Sequence, residues 1–299
     1  MSTGETTEGN TAQARRLQLP VPTKIEILKH APGEILVVNK PVDIRMNGDH
    51  DVTVESLIHK TLDNEKYKKL KWIHRLDMAT SGVLVIGLSK KISAVFHDLF
   101  DGRLSQKCYV ALLRGHLKRK EACVVECPKF AEKVSSKRKR SLVEGEHEFL
   151  SNTYWIKEED GEAMCVDVNI AKHPEDSFKM APGSLEGMPP NRGRVARTKI
   201  RIQRYEMYEG NPVTRVLMYP LTGRRHQLRV HALYIGHPIL GDFTYDRAFS
   251  VKHDVPRMML HAKSLTLPVA KSRFFKNSTK ASSSFKSDKV LEYEAPCTF

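Results

Sequence analysis

One stretch concentrates residues able to do chemistry: Trp72 to Gly87, WIHRLDMATSGVLVIG. Its carboxylate, Asp77, lies between a basic pair, His74 and Arg75, and a small-residue turn, Thr80-Ser81-Gly82. The unbroken apolar run Val83 to Ile86 follows at once, so the acid sits at the start of a buried strand. An aspartate held there is partly desolvated, which costs free energy unless a cation pairs with it. The simpler alternative is an aspartate that orders the turn through its own backbone.

A second concentration of charge lies in Leu221-Thr-Gly-Arg-Arg-His-Gln-Leu-Arg-Val-His231. Leu228, Ala232 and Ile235 mark a helix closed by Gly236 and Pro238. Arg224, Arg225 and Arg229 crowd its N-terminal end, where cations oppose the helix dipole. They make sense if they meet anions, either phosphates or a buried carboxylate. His226 and His231 are five apart and do not share a helix face as a zinc-binding pair would; ordinary hydrogen-bonding histidines are expected. In Ser105 to Leu113, Cys108, Val110 and Leu112 alternate against Lys107, Tyr109 and Ala111, which predicts a strand with Tyr109 on the opposite side from Val110. Tyr109 alone reads as an ordinary strand aromatic. The run Glu34 to Pro41 predicts a buried strand whose end exposes Lys40 in a loop.

Around these groups the pattern supplies positioning elements. Val54, Leu57, Ile58 and Leu62 recur at helical spacing after Thr53, and Ile92, Val95, Phe96 and Leu99 do so before Gly102. Thr198 to Tyr205 and Val213 to Leu221 read as alternating strands split by a turn at Glu209-Gly-Asn-Pro212, and Val290 to Pro296 as a closing strand. Residues 1–20 are polar and are expected to be a disordered tail. Residues 21–299 are expected to form one domain, with an elaborated basic region at 118–197 and a mobile Ser/Lys-rich loop at 271–289. The cluster Lys133 to Arg140 reads either as a site for RNA or an import receptor or as a solvated loop.

Composition narrows the partners. Lys plus Arg number 49 against 35 acidic residues, a formal charge of +14, which favours phosphate-bearing partners, nucleic acid before anionic membrane. The five cysteines are scattered without a Cys-x-x-Cys pair, which argues against a zinc site and for a reducing intracellular compartment. No apolar run approaches the roughly 20 residues of a spanning helix, and the N-terminus lacks the apolar core of a secretory signal. No phosphate-cradling glycine loop is present.

Several segments, in order, resemble the RluA family of RNA pseudouridine synthases. Val37-Val-Asn-Lys-Pro41 is similar to its opening motif, His74-Arg-Leu-Asp-Met-Ala-Thr-Ser-Gly82 to its HRLDxxTSG signature, and Lys107-Cys-Tyr-Val-Ala-Leu112 to its KxYxAL strand. Leu221 to His231 and Gly236-His-Pro-Ile-Leu-Gly-Asp242 resemble its TGRTHQLRVH and GHPILGD segments. Leu112 to His116 and Arg257 to Ala262 are especially similar to the animal RNA pseudouridylate synthase domain-containing protein 1 branch. The loop after Lys40-Pro41 departs from the family pattern, and 118–197 has no counterpart in it.

The resemblance implies an α+β fold, a central, mostly antiparallel mixed sheet flanked by helices and loops, with the cleft across its middle. It implies isomerisation of uridine to pseudouridine in RNA (tRNA, rRNA or mRNA), with no cofactor and no metal. Apart from the resemblance, a monomer with no membrane partner is expected, in nucleus or cytoplasm, the Lys137 to Arg140 run tilting towards the nucleus and a mitochondrial placement staying open. Asp77 corresponds to the catalytic aspartate, Arg229 to its partner, and Tyr109 to the tyrosine that stacks on the base or takes a proton from C5. Arg75 corresponds to the residue that fills the stack left by the flipped nucleotide. His74, Lys40, Arg224, His226 and Leu228 are expected to contact substrate. The rival reading is an RNA-binding protein or RNA chaperone that has kept the fold and lost turnover.

Overall fold

The computed structural model describes residues 19–62, 67, 70–118, 124–125, 152–159, 161–185, 192–272 and 290–299. Most of the expected tail, the Lys133 to Arg140 cluster and most of the Ser/Lys-rich loop lie outside these residues. In chain order the elements are β1 (Glu26–Ala31), β2 (Ile35–Lys40), α1 (Val54–Leu62), β3 (Lys71–Trp72), β4 (Ser81–Gly87), α2 (Lys90–Asp101) and β5 (Gln106–Arg114). Then follow β6 (Val124–Val125), β7 (Thr153–Glu158), β8 (Gly161–Asp167), β9 (Ile170–Lys172) and β10 (Met180–Pro182). The remainder is β11 (Arg197–Tyr208), β12 (Asn211–Pro220), α3 (Gln227–Tyr234), α4 (Arg247–Lys252), β13 (Leu260–Leu267) and β14 (Leu291–Glu294).

Among the described residues, the order β1-β2-β4-β13-β5-β12-β11-β8-β7-β6 forms one sheet, with β14 added to β13 and β3 to β4. Its ladders are antiparallel except β4–β13 and β6–β7; β9 and β10 form a separate ribbon. This is the mixed, mostly antiparallel α+β architecture expected.

The unbroken apolar run in β4 has a simple cause: every residue of that strand is buried. Val83 and Val85 pack with Ile92, Val95, Phe96 and Leu99 of α2, while Leu84 and Ile86 point the other way onto Val54, Leu57 and Ile58 of α1. Strand alternation thus feeds two cores, one on each face. On β5, Ala111 and Leu113 share a core with Leu228 and Ala232 of α3, and Tyr109 packs against it. The predicted alternation therefore turns Tyr109 towards the face that carries α3.

Two boundaries differ: the closing strand is shorter than expected, Leu291–Glu294, and the hairpin is tighter. β11 and β12 run on to Tyr208 and from Asn211, so only Glu209 and Gly210 remain as the loop. Both have positive φ, 45° and 76°, as a two-residue hairpin of the type I′ kind requires. Pro212, a turn breaker by sequence, pairs with Met207 inside the ladder.

The parallel contact of β4 with β13 is very close. Gly82 has φ of 114°, and a Cβ there would be driven into the backbone carbonyl of Ala262. Glycine is required twice over at this point, for conformation and for space. α3 is tied down by His231, which is fully buried between the Thr198 hydroxyl at 2.8 Å and the Val168 carbonyl at 3.0 Å. Burial lowers its pKa from 6.5 to about 4, against the raising effect of the Val168 hydrogen bond.

Gly82→Ala should lower the unfolding free energy by about 3 kcal/mol, combining left-handed strain with overpacking; a urea titration showing less than about 1 kcal/mol contradicts the close approach. For His231 the folded pKa lies below the unfolded one, so its contribution is present above pH 6.5 and lost as pH falls towards about 4. The loss is about 3 kcal/mol. Denaturation at pH 7 and pH 4 should show a smaller drop for His231→Gln than for wild type, and parallel drops contradict it.

Candidate active site

Asp77 is presented by a loop fixed from three sides. Below it, Lys40 is fully buried and donates its three ammonium hydrogens to the carbonyls of Pro41 (2.8 Å), Met78 (2.8 Å) and Thr80 (2.9 Å). Leu76 is buried against the α1 core. His74 accepts the Val85 N–H on Nε2 at 3.0 Å and stacks on Phe100 with centroids 4.8 Å apart. The turn closes through Thr80 N–H to the Asp77 carbonyl at 3.0 Å.

Lys40 corrects the sequence expectation. It is neither exposed nor on the cleft wall. Lys40 is the last residue of the β2–β4 ladder, paired with Gly82, and the carbonyls of Met78 and Thr80 from the Asp77 loop join that of Pro41 around the ammonium, so three carbonyls replace water. Burial lowers its pKa to about 7, although Asp43 and Asp77 favour the charge. In the structure its ammonium holds the Asp77 loop through Met78 and Thr80.

The cation for Asp77 comes from the other side of the cleft. Arg229, 152 residues downstream, donates Nη1 to Asp77 Oδ2 at 3.1 Å. Its Nε and Nη2 form a two-pronged pair with Asp242 at 2.8 Å each. Asp242 is 1% exposed, and its Oδ1 also accepts the N–H groups of Thr244 (3.0 Å) and Tyr245 (3.2 Å). Burial opposes the charge on Arg229, but Asp242 and then Asp77 outweigh it, and its pKa is raised. The guanidinium also lies 5.1 Å from the Tyr245 ring centroid.

His226 occupies the left-handed region at the start of α3, φ 55°, uncommon for a residue with a side chain. Its Nδ1 meets the Tyr245 hydroxyl at 2.9 Å and its Nε2 lies 3.9 Å from Asp77. Burial, helped by Arg229 and Arg225, outweighs Asp77 and keeps the imidazole neutral at pH 7. Gln227 shapes the preceding loop by accepting from the Thr222 hydroxyl and the Arg224 N–H while donating to the Arg197 carbonyl and the Thr198 hydroxyl.

These groups border one cleft of about 1120 Å³. Asp77, Tyr109, Arg229, Arg75, His74, Arg224, His226 and Leu228 all line it. Arg75 is exposed at its edge. Tyr109 is buried enough that its pKa is raised, and the Asp77 charge adds to the effect, so the ring carries a neutral phenol. His74 reaches the wall, but its Nε2 is occupied by the strand, and burial lowers its pKa to about 3. Arg45, Arg103, Lys107, Arg194 and Arg225 add positive charge around the opening. Such a field suits a polyanion. Among the described residues no group of three or more His, Cys, Asp or Glu side chains is placed to hold a metal ion.

Asp242 and Tyr245 are the positions that sequence reasoning missed as site residues. The available signal was an acid directly after Pro238-Ile-Leu-Gly241, an apolar turn with no water to solvate it. Gly241 adds a second: with φ of 78° and the Arg257 carbonyl against it, no side chain fits there.

A family model described as RNA pseudouridylate synthase matches residues 34–234. The chain is 29% identical over 245 residues to RNA pseudouridylate synthase domain-containing protein 1 of Bos taurus, covering 79% of this chain and 66% of that protein. The chain thus spans about two thirds of that relative's length. It is 31% identical over 238 residues to the dual-specificity RNA pseudouridine synthase RluA of Haemophilus ducreyi, covering 79% of this chain and 83% of the other. Among solved structures, Human RNA Pseudouridylate Synthase Domain Containing 1 aligns with a TM-score of 0.61 at 27% identity, over 84% of this chain and 82% of that one.

The geometry makes Asp242 the partner on which Arg229 depends. Asp242→Ala should cost about 3–5 kcal/mol in urea unfolding, because it strips the buried guanidinium of its two-pronged partner and leaves only the single contact to Asp77. With Arg229→Met added, the double variant should regain part of that loss; simple additivity of the two losses contradicts the coupling.

Proposed function

The chain belongs to the RNA pseudouridylate synthase family, and from that premise we propose that it isomerises uridine to pseudouridine in RNA, using Asp77 as the reacting carboxylate. The observation that carries this reading is the Asp77–Arg229 contact of 3.1 Å inside a cleft bordered by Tyr109 and a ring of cations. An acid of this kind needs a pairing cation and limited water, and both are met: the Asp77 side chain is 29% exposed and Arg229 only 6%.

The reaction is redox-neutral. The bond from C1′ to N1 of uracil breaks while the Asp77 carboxylate acts at C1′ or at a neighbouring ribose position. The released uracil turns, a bond forms from C1′ to C5, C5 loses its proton and N1 ends protonated. No electron acceptor or donor is required, so the proposal includes no cofactor. Tyr109 offers its ring face to the base; its raised pKa makes a phenolate base a poor assignment, and the neutral phenol packs and hydrogen-bonds instead. Arg75, exposed at the edge, takes the place in the RNA stack left by the flipped nucleotide. Arg224 and His226 border the path to Asp77, and Leu228 supplies apolar wall beneath the base. The outer cations bind phosphates without regard to sequence.

Total cellular RNA carrying tritium at uridine C5 tests this directly. Wild type should release tritium, and Asp77→Asn should lower the rate by at least about 10³-fold while RNA binding persists. RNA binding without release by wild type would leave the binding protein or chaperone as the better account.

A further inference from the structure

The two arginines that open the helix loop each make a contact that the reaction does not explain. Arg224 donates Nε to the carbonyl of Val195 at 2.9 Å, and Arg225 donates Nη2 to the carbonyl of Phe178 at 2.9 Å. Both carbonyls belong to residues whose apolar side chains face solvent: Phe178 is 79% exposed and Val195 45%. Leu221, next to the arginines in sequence, is also exposed, at 37%. Scattered exposed apolar groups are ordinary. An almost fully exposed phenylalanine fixed to a cleft arginine is a different matter.

Phe178 does not sit on a loose tip. It is in the turn joining β9 to β10, and that turn is closed by its own polar groups. Asp176 Oδ1 accepts the Phe178 N–H at 2.9 Å, the Asp176 carbonyl accepts the Lys179 N–H at 3.0 Å, and His173 Nδ1 accepts from Glu175 and Asp176 at 3.2 Å each. The turn is also wired to the reacting group. The Met180 N–H donates to the Tyr245 hydroxyl at 2.9 Å, that hydroxyl meets His226, and His226 faces Asp77. Local charges are mixed at the turn, with Lys179 paired to Asp176 at 3.4 Å, and positive on the cleft side, where Arg194, Arg224 and Arg225 lie.

An exposed aromatic on a hydrogen-bonded turn, with the Arg225 guanidinium on its own backbone carbonyl and Arg224 on the Val195 carbonyl, matches the chemistry of a nucleotide: a flat base face and a phosphate. We propose that Phe178 is a stacking platform for a nucleotide of the RNA next to the target uridine, with Arg224 and Arg225 receiving the adjoining phosphates. The ribbon β9–β10 lies outside the short motifs that carry Asp77, Tyr109 and Arg229, so this contact would read the RNA around the uridine rather than the uridine itself. The inference rests on the reading of this cleft as an RNA site. An acidic or apolar protein surface is the competing occupant, and the charge on the cleft side argues for RNA.

Three variants of the full chain test it: Phe178→Ala, Phe178→Tyr and Phe178→Trp. Because the side chain is in water, none should change the unfolding midpoint. Affinity is read by anisotropy with a fluorescein-labelled, mixed-sequence, single-stranded 20-nucleotide RNA, independently of turnover. Phe178→Ala should weaken it about 5- to 150-fold, the ratio that loss of one stacked base gives, while Phe178→Tyr restores it. On tritium-labelled cellular RNA the loss should fall on KM, with kcat within about twofold, since the residue is remote from the bond changes. The extra indole emission of the Phe178→Trp variant, taken as the difference from wild type, should be quenched by the same RNA without its label. Unchanged affinity in Phe178→Ala, together with unquenched indole emission in Phe178→Trp, overturns the proposal. So does a protein partner captured only by wild type while RNA affinity is unchanged. Weakened binding in Phe178→Ala with no tritium release from wild type sinks the synthase reading and leaves the stacking contact standing.

Discussion

The structure depends on one guanidinium shared by two carboxylates. Arg229 gives two prongs to Asp242 and the third to Asp77. The division is made unequal by the surroundings. Asp242 is buried and takes two backbone N–H groups as well, so it fixes the arginine; Asp77 is the more exposed acid and faces the cleft. Bringing three charges out of water is costly, and that cost is offset only when the hydrogen bonds are nearly complete. One positive charge against two negative ones leaves the cluster acidic, which a cleft ringed by arginines tolerates and a bare interior would not.

That pairing joins segments 152 residues apart, so the backbone must be held to match. The match is made at β4 and β13. Gly82 lets the strands approach without a Cβ between them, and just before it Ser81 meets both His261 Nδ1 at 2.8 Å and Arg257 Nη2 at 2.6 Å. Lys40 closes the loop from beneath. On the opposite side His231 and Gln227 fasten α3 to β11 through Thr198. Asp77 and Arg229 are thus each mounted on polar groups that are already satisfied.

Much of this was legible in the sequence, for identifiable reasons. The apolar run after Asp77, the alternation around Tyr109 and the surplus of arginine before α3 each follow from short-range periodicity or charge, and each led to a group that lines the cleft. What failed to show was long-range. Lys40 ends a strand next to proline, the usual sign of an exposed loop, and only the fold reveals that a second loop covers it. Asp242 carries no local mark of its pairing because its partner, Arg229, is on another element. Pro212 falls in the turn by sequence, yet pairs with Met207, because sequence cannot tell which side of a strand needs an N–H. The ribbon carrying Phe178 has too few residues per strand for periodicity to be seen at all.

On the proposed reaction, the fork of Arg229, and not merely its charge, sets Asp77 for its role. Arg229→Lys tests it most directly, since an ammonium keeps the charge but cannot bridge two carboxylates in a plane. Steady-state pseudouridine formation by the folded variant should show kcat reduced about 100-fold or more, with KM changed by less than about threefold. A lysine variant that turns over within about threefold of wild type would contradict the account.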